Sequence, residues 1–221
     1  MATYLITGGN RGIGFELCRQ LHTQGHDVIA TCRNPSTKLN ELGVKIESNI
    51  DITSQSSVNE LAASLNNRTI DVLINNAGIL ERSSLNELEP ESLHRQFDVN
   101  AVSPLCLTQS LLGNLISGSK IALITSRMGS IADNSSGGSY GYRMSKVALC
   151  MAGKSLSIDL KSRGIAVAII HPGLVKTQMT NFTMEGISPE TSVKGILERI
   201  TDLKLANSGS FWHANGEILP W

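Results

Sequence analysis

Short apolar runs rich in β-branched residues alternate with longer stretches of helical pattern, and that alternation narrows the possible folds more than any single motif. The runs are Tyr4–Thr7, Asp27–Thr31, Lys45–Ser48, Asp71–Asn75, Lys120–Ser126 and Ile165–His171. Helical stretches fill the gaps at Gly12–Gln24, Ser54–Leu65, Pro90–Leu115 and Tyr140–Arg163. A last helix over Pro189–Leu205 and a short strand at Gly209–Trp212 close the chain. Strands that are apolar on both sides need cover on both sides. The pattern therefore predicts an α/β fold, a doubly wound parallel sheet in three α/β/α layers. No linker, repeat or low-complexity tract divides residues 1–221, which read as one domain large enough to bury a core. With no second domain to form a cleft, a ligand belongs in the crevice at the carboxyl ends of the strands.

One turn in the pattern suits a particular ligand. The first strand runs into Thr7-Gly-Gly-Asn-Arg-Gly-Ile-Gly14, and a helix starts at once. Gly8, Gly12 and Gly14 let the backbone turn tightly, let a pyrophosphate approach the main chain, and let helix and strand pack closely. The helix N-terminus then offers unpaired amides and partial positive charge to phosphates. A glycine turn alone also serves as a plain tight connection. Its place, after the first strand and opening the first helix, favours a Rossmann-type dinucleotide site, with Asn10, Arg11 and Ile13 among the contacts.

The form of the dinucleotide is decided at the end of the second strand. An acid there binds the ribose 2′-hydroxyl, whereas a base accepts a 2′-phosphate. The strand Asp27–Thr31 ends at Cys32-Arg33 with no carboxylate, and Asp27 sits at the wrong end. Arg33, with Arg11 from the glycine turn, supplies two cations for a phosphate. NADP(H) is the expected cofactor, against the plainer reading that both arginines are only solvated.

Tyr142 and Lys146 stand four apart in Ser139-Tyr-Gly-Tyr-Arg-Met-Ser-Lys146, which puts both on one face of a helix. An ammonium held there is expected to favour the phenolate and lower the tyrosine pKa from its usual ~10. Such a tyrosine can give a proton to a carbonyl oxygen or take one from an alcohol. Tyr140, six from Lys146, points away. The spacing also occurs in surface pairs of no function, so its weight comes from its neighbours.

Charge and composition exclude several classes. The chain has 19 basic and 19 acidic side chains with no block of one sign, which argues against nucleic acid or an anionic membrane as partner. The apolar run Ile165–Ile170 is too short to span a bilayer. No basic segment and cleavable apolar core open the chain, so a cytoplasmic location is expected. Cys18, Cys32, Cys106 and Cys150 form no Cys-x-x-Cys unit, and the five histidines show no ligand spacing. Reduced thiols and no metal are expected.

Taken together, separated motifs resemble the short-chain dehydrogenase/reductase family over nearly the whole length. They are the Thr7–Gly14 turn, Asp51-Ile52 after the third strand, Asn75-Asn-Ala-Gly78 ending the fourth, and Asn100 in the next helix. Ser126 at the fifth strand, Tyr142-x-x-x-Lys146, and His171-Pro-Gly173 with Thr177 beyond complete the set. The segment Gly129–Tyr142 and the ending Gly216–Trp221 look like the C-factor/sniffer-type carbonyl reductase branch. Ser126 precedes Tyr142 by 16 positions, more than in many relatives. The Gly- and Ser-rich run Asn134–Ser139 is therefore expected to loop out. The stretch after Thr177 is short, so the lid over the substrate is reduced.

The resemblance implies roles. Tyr142 would be the general acid in carbonyl reduction, Lys146 would lower its pKa and bond the nicotinamide ribose, and Ser126 would bond the substrate oxygen. Asn100 would hold a water linking Lys146 to solvent. Asp51 and Ile52 would contact the adenine; Asn76, Ala77 and Gly78 would line the cofactor, and Pro172, Gly173, Val175 and Thr177 would meet the nicotinamide. His171 is expected to pack or cap, and Trp212 and Trp221 to pack or meet an interface. The implied function is an NADPH-dependent carbonyl reductase acting on a small molecule. A homodimer through the helices at Pro90–Leu115 and Tyr140–Arg163 is expected by analogy. Two alternatives stay open: a cofactor-binding redox-sensing or signalling module with little turnover, and an NAD-dependent alcohol dehydrogenase.

Overall fold

The computed structural model describes residues 1–221, in the order β1 (Thr3–Thr7), α1 (Gly12–Thr23), β2 (Asp27–Thr31), α2 (Thr37–Glu41), β3 (Lys45–Glu47), α3 (Gln55–Leu65) and β4 (Val72–Asn75). Then follow α4 (Pro90–Phe97), α5 (Ser103–Ser110), β5 (Lys120–Ile124), α6 (Tyr140–Asp159), β6 (Ala166–His171), α7 (Pro189–Asp202) and β7 (Phe211–His213). All seven strands join one parallel sheet in the order β3-β2-β1-β4-β5-β6-β7. The chain winds outward from β1 to β3, returns to lay β4 beside β1, and winds the other way. A crevice opens at this switch, above the carboxyl ends of β1 and β4.

Alternate residues of each strand feed opposite cores, as the pleat requires. Ile6, Ala30, Ile74 and Ile170 pack with Leu17 and Leu21 of α1 and Val193 and Ile196 of α7. Leu5, Ile29, Leu73 and Leu123 pack on the other face with Leu61 of α3, Leu107 of α5 and Leu149 of α6. The expected three-layer doubly wound sheet is present. Asp27, at the amino end of β2, pairs with Arg68, away from the crevice.

The differences from the expected elements have local causes. Helix α2 escapes a periodicity search because Leu39 is its one buried residue; the Ser36 hydroxyl caps it by accepting from Leu39 N at 3.3 Å. The helix expected over Pro90–Leu115 carries a π-helical turn at Asp98–Val102 between α4 and α5. Pro104 lacks an N–H for the carbonyl one turn back, and a widened turn accommodates the missing bond. Regular helix then stops at Ser110. Helix α6 stops at Asp159, and a 3₁₀ turn at Lys161–Arg163 leads to Gly164, whose φ of +73° suits a residue without Cβ. The run Asn134–Ser139 does loop out. Arg143 holds it on α6 by donating to Gly137 O and Gly138 O, each at 3.2 Å, and to Ser136 Oγ at 2.8 Å.

Candidate active site

A cleft of about 700 Å³ lies over the carboxyl ends of the strands. Its floor at one end is the glycine turn. Gly8 takes φ +69°, and a side chain on Gly14 would overlap the Gly8 carbonyl oxygen and stand 2.6 Å from Asn76 Nδ2. The turn is fastened to β4: Asn76 Nδ2 donates to Thr7 O at 2.9 Å, and Thr7 Oγ1 accepts from the amides of Asn76 and Ala77, each at 3.0 Å. Arg11 precedes α1 without a capping side chain, and no acidic residue occupies the first turn. The leading amides of α1 are thus free to meet an anion.

Beyond β2 and β3 the cleft is lined by Arg33, Lys38, Asp51 and Ile52. The Asp51 carboxyl accepts from Thr53 N at 2.9 Å and Thr53 Oγ1 at 2.8 Å; these bonds, and then the Arg33 charge, hold it below the usual carboxylate range. Asn10 Nδ2 donates to Asn34 O at 3.2 Å, closing that corner. Arg11 behaves differently from the expectation of a second phosphate cation. Its guanidinium crosses the cleft and donates to Gln178 Oε1 at 2.6 Å.

Tyr142 and Lys146 line the inner end, together with Gly78, Ile124, Pro172 and Thr177. Lys146 Nζ donates to Ile124 O at 3.0 Å and lies 5.7 Å from the Tyr142 ring centroid. Burial pushes Lys146 down to about 8 and Tyr142 up to about 12, with the Ser126 hydroxyl opposing the latter rise. The expected lowering of the tyrosine pKa is therefore reversed here. The ammonium lies over the ring and is spent on a carbonyl, so loss of solvent outweighs its charge.

Four expected residues, Asn100, Ser126, Gly173 and Val175, are not in the lining itself, although the Ser126 hydroxyl reaches Tyr142, which is. Asn100, in the π-helical turn, is fully buried. Its Oδ1 accepts from Ile79 N and its Nδ2 donates to Ile79 O, each at 2.9 Å, and Nδ2 also donates to Ser145 Oγ at 3.0 Å. It clamps the main chain after Gly78. The Gly78 position lies close to both side chains: a Cβ there would come within 3.0 Å of Asn100 Oδ1 and 3.6 Å of Lys146 Nζ. Ser126 caps a 3₁₀ turn at Arg127–Gly129, its Oγ accepting from Met128 N at 3.1 Å. His171 packs edge-on against His213 at 4.9 Å, and burial drives it down to about 3, so it stays neutral.

Lys38, Gln178, Met179 and Phe182, which belong to no motif in the sequence, also line the cleft. A signal existed for two of them: Met179 and Phe182 are large apolar residues in a short polar connection, and Phe182 is 64% exposed. No group of three or more His, Cys, Asp or Glu side chains is placed to hold a metal ion. No helix is long and apolar enough to cross a membrane.

The family model described as short chain dehydrogenase matches residues 2–187. The chain is 37% identical over 226 residues to a 1-hydroxy-2-glutathionyl-2-methyl-3-butene dehydrogenase of Rhodococcus sp. (strain AD45), covering all of both chains. Among solved structures it is similar to the NADPH-bound carbonyl reductase from chicken fatty liver, with TM-score 0.93 and 29% identity, covering 100% of this chain and 99% of that one. It is equally similar to the carbonyl reductase Sniffer of D. melanogaster, with TM-score 0.93 and 31% identity over 100% of both chains.

Proposed function

This chain belongs to the short-chain dehydrogenase family, and on that premise we propose that it reduces a carbonyl group of a small molecule to an alcohol with NADPH. The observation that carries the reading is the single cleft in which Tyr142 and Lys146 lie at one end and a glycine turn with Arg33 and Lys38 at the other. NADP(H) suits the residues present. Gly8 and Gly14 let the turn pack tightly on itself and on the chain after β4, α1 offers free amides, and Arg33 with Lys38 provides the cations for a 2′-phosphate. The carbonyl reductase from chicken fatty liver, similar in fold, is described as NADPH-bound.

When bound, the nicotinamide supplies the hydride. The chain supplies the proton. With its pKa held high, Tyr142 is a phenol at neutral pH and can donate Oη–H to the oxygen that gains charge. Lys146, near 8, is still mostly an ammonium at pH 7, and its field favours the phenolate left behind. The Ser126 hydroxyl, within hydrogen-bond reach of Tyr142, would donate to the same substrate oxygen. Asn100 is occupied with Ile79 and Ser145, so we assign it the placement of the Gly78–Ile79 main chain rather than a side-chain grip on water.

The test is a panel of ketones, aldehydes, diketones and quinones assayed with NADPH and NADH, alongside Tyr142→Phe. Losing the hydroxyl is expected to lower kcat by about 10²- to 10⁴-fold while NADPH still binds. Unchanged turnover in Tyr142→Phe sinks the mechanism, and a preference for NADH sinks the cofactor assignment. The dehydrogenase from Rhodococcus acts, by its description, on an alcohol. The same residues can run in reverse, Tyr142 then accepting a proton, so the panel includes alcohols with NADP⁺.

A further inference from the structure

We propose that the C-terminal segment from Phe211 to Trp221 is a brace that positions Ser126 for the reaction, with Arg127 as its point of attachment. This rests on the carbonyl-reductase reading above. Ser126 lies two residues beyond β5 and caps the 3₁₀ segment Arg127–Gly129. One side of that turn is fixed by α6. Thr125 Oγ1 donates to Lys146 O at 3.2 Å, and a side chain on Gly129 would come within 2.8 Å of the Lys146 carbonyl carbon. So the turn lies flat on the main chain of the residue whose side chain enters the cleft.

The end of the chain faces the other side of that turn. Arg127 Nη2 donates to Glu217 Oε2 at 3.1 Å, and Arg127 Nε, closed off from solvent, lies 3.0 Å from Asp133 Oδ2. Further along the same loop, Ala132 N donates to Trp221 O at 2.9 Å. The tail that makes these contacts is itself anchored. His213 N donates to Glu217 O and Leu219 N to Phe211 O, each at 2.8 Å, and Trp221 stacks on Phe211 with ring centroids 5.5 Å apart. Phe211 is buried in β7, at the edge of the sheet. The path therefore runs from sheet edge to tail to the loop that begins at Ser126.

A Gly- and Ser-rich loop follows the braced segment; Arg143 ties its far part to α6, and the segment 127–133 takes its own ties from Glu217 and Trp221. Displacing a positioned group by about 1 Å costs up to about 100-fold in rate. None of residues 211–221 lines the cleft, so the brace acts on turnover without touching the cofactor. That separation is the signature to look for.

The experiment compares the full chain with Arg127→Ala, Glu217→Ala, their double variant, and a chain lacking Trp221. Hydrogen exchange is measured across residues 127–133, together with carbonyl turnover and NADPH affinity by fluorescence. The expected result is exchange in that segment faster by about tenfold and kcat lower by about tenfold, with NADPH affinity within about twofold. The Arg127 and Glu217 effects should not add in the double variant. Unchanged exchange in 127–133 overturns the brace, and faster exchange with unchanged kcat overturns its role in positioning. Exchange and NADPH affinity changing together across the whole protein also overturn it, because they mark general destabilisation. If the unaltered protein turns over no carbonyl at all, the reductase reading fails by itself, and exchange alone decides whether the tail braces the loop.

Discussion

At one end of the cleft the floor is a glycine turn packed backbone against backbone, while the chain after β6 lines it with large side chains on a loop. Gly8, Gly14 and Asn76 meet so closely that a single added Cβ collides with a carbonyl oxygen. The lid after β6, by contrast, is a loop: its base is closed where Lys176 N donates to Ile187 O at 2.9 Å and Ile187 N to Leu174 O at 2.8 Å, and Arg11 reaches it from across the cleft at Gln178 Oε1. At its tip Asn181 and Phe182 both take left-handed φ near +51°, a costly conformation for residues with side chains, and Met184 is 88% exposed. One end is rigid because backbone packs on backbone; the other is loosely held and shaped by whichever side chains it carries. A family can therefore keep its cofactor while its substrate changes.

That contrast can be broken in order of expected effect. Gly14→Ala forces backbone apart and should weaken NADPH binding by about 100-fold, read by fluorescence titration beside a melting curve. Normal affinity in a folded variant would show that the turn is not the phosphate floor. Arg33→Ala combined with Lys38→Ala should lower the preference for NADPH over NADH by about 10- to 100-fold, leaving NADH kinetics in place. An unchanged ratio would return the phosphate site to Arg11. On pH, Lys146 is an ammonium below about 8 and loses its proton as pH rises through that value. Reductive kcat/KM for NADPH, which reports the free enzyme, should be level below that point and fall above it; Lys146→Arg should lack that falling limb. The smallest effect belongs to the lid. Phe182→Ala should raise KM for bulky apolar carbonyls by about two- to fivefold with NADPH binding unaltered. A change in cofactor affinity there would mean that the two ends are not independent.

How far each end was legible follows from the same contrast. The glycine turn, Arg33, Asp51 and the Tyr142–Lys146 pair all lie in the cleft, because each depends on spacing within one strand, turn or helix. Lys38 was hidden by an α2 too short to show a period. The π-helical turn was hidden because Pro104, in mid-helix, shows a break without showing its form. The partners of the Asn100 side chain, Ile79 and Ser145, were not legible, since they reach it from elsewhere in the chain. The direction of the Tyr142 shift is not legible in sequence, because helical spacing says nothing about burial.

Local order alone determined the doubly wound sheet, the side of it that binds, and the residue types gathered there. Strand alternation, glycine spacing and an i,i+4 pair are properties of neighbouring residues, and backbone geometry turns them directly into shape. Only the tertiary structure decided that Arg11 reaches across to Gln178, that Lys146 is spent on Ile124, and that the last residues of the chain hold the loop after Ser126. Those outcomes join segments 22 to 167 positions apart. They depend on which partner arrives once solvent is excluded, and no pattern of neighbours along the chain encodes that competition.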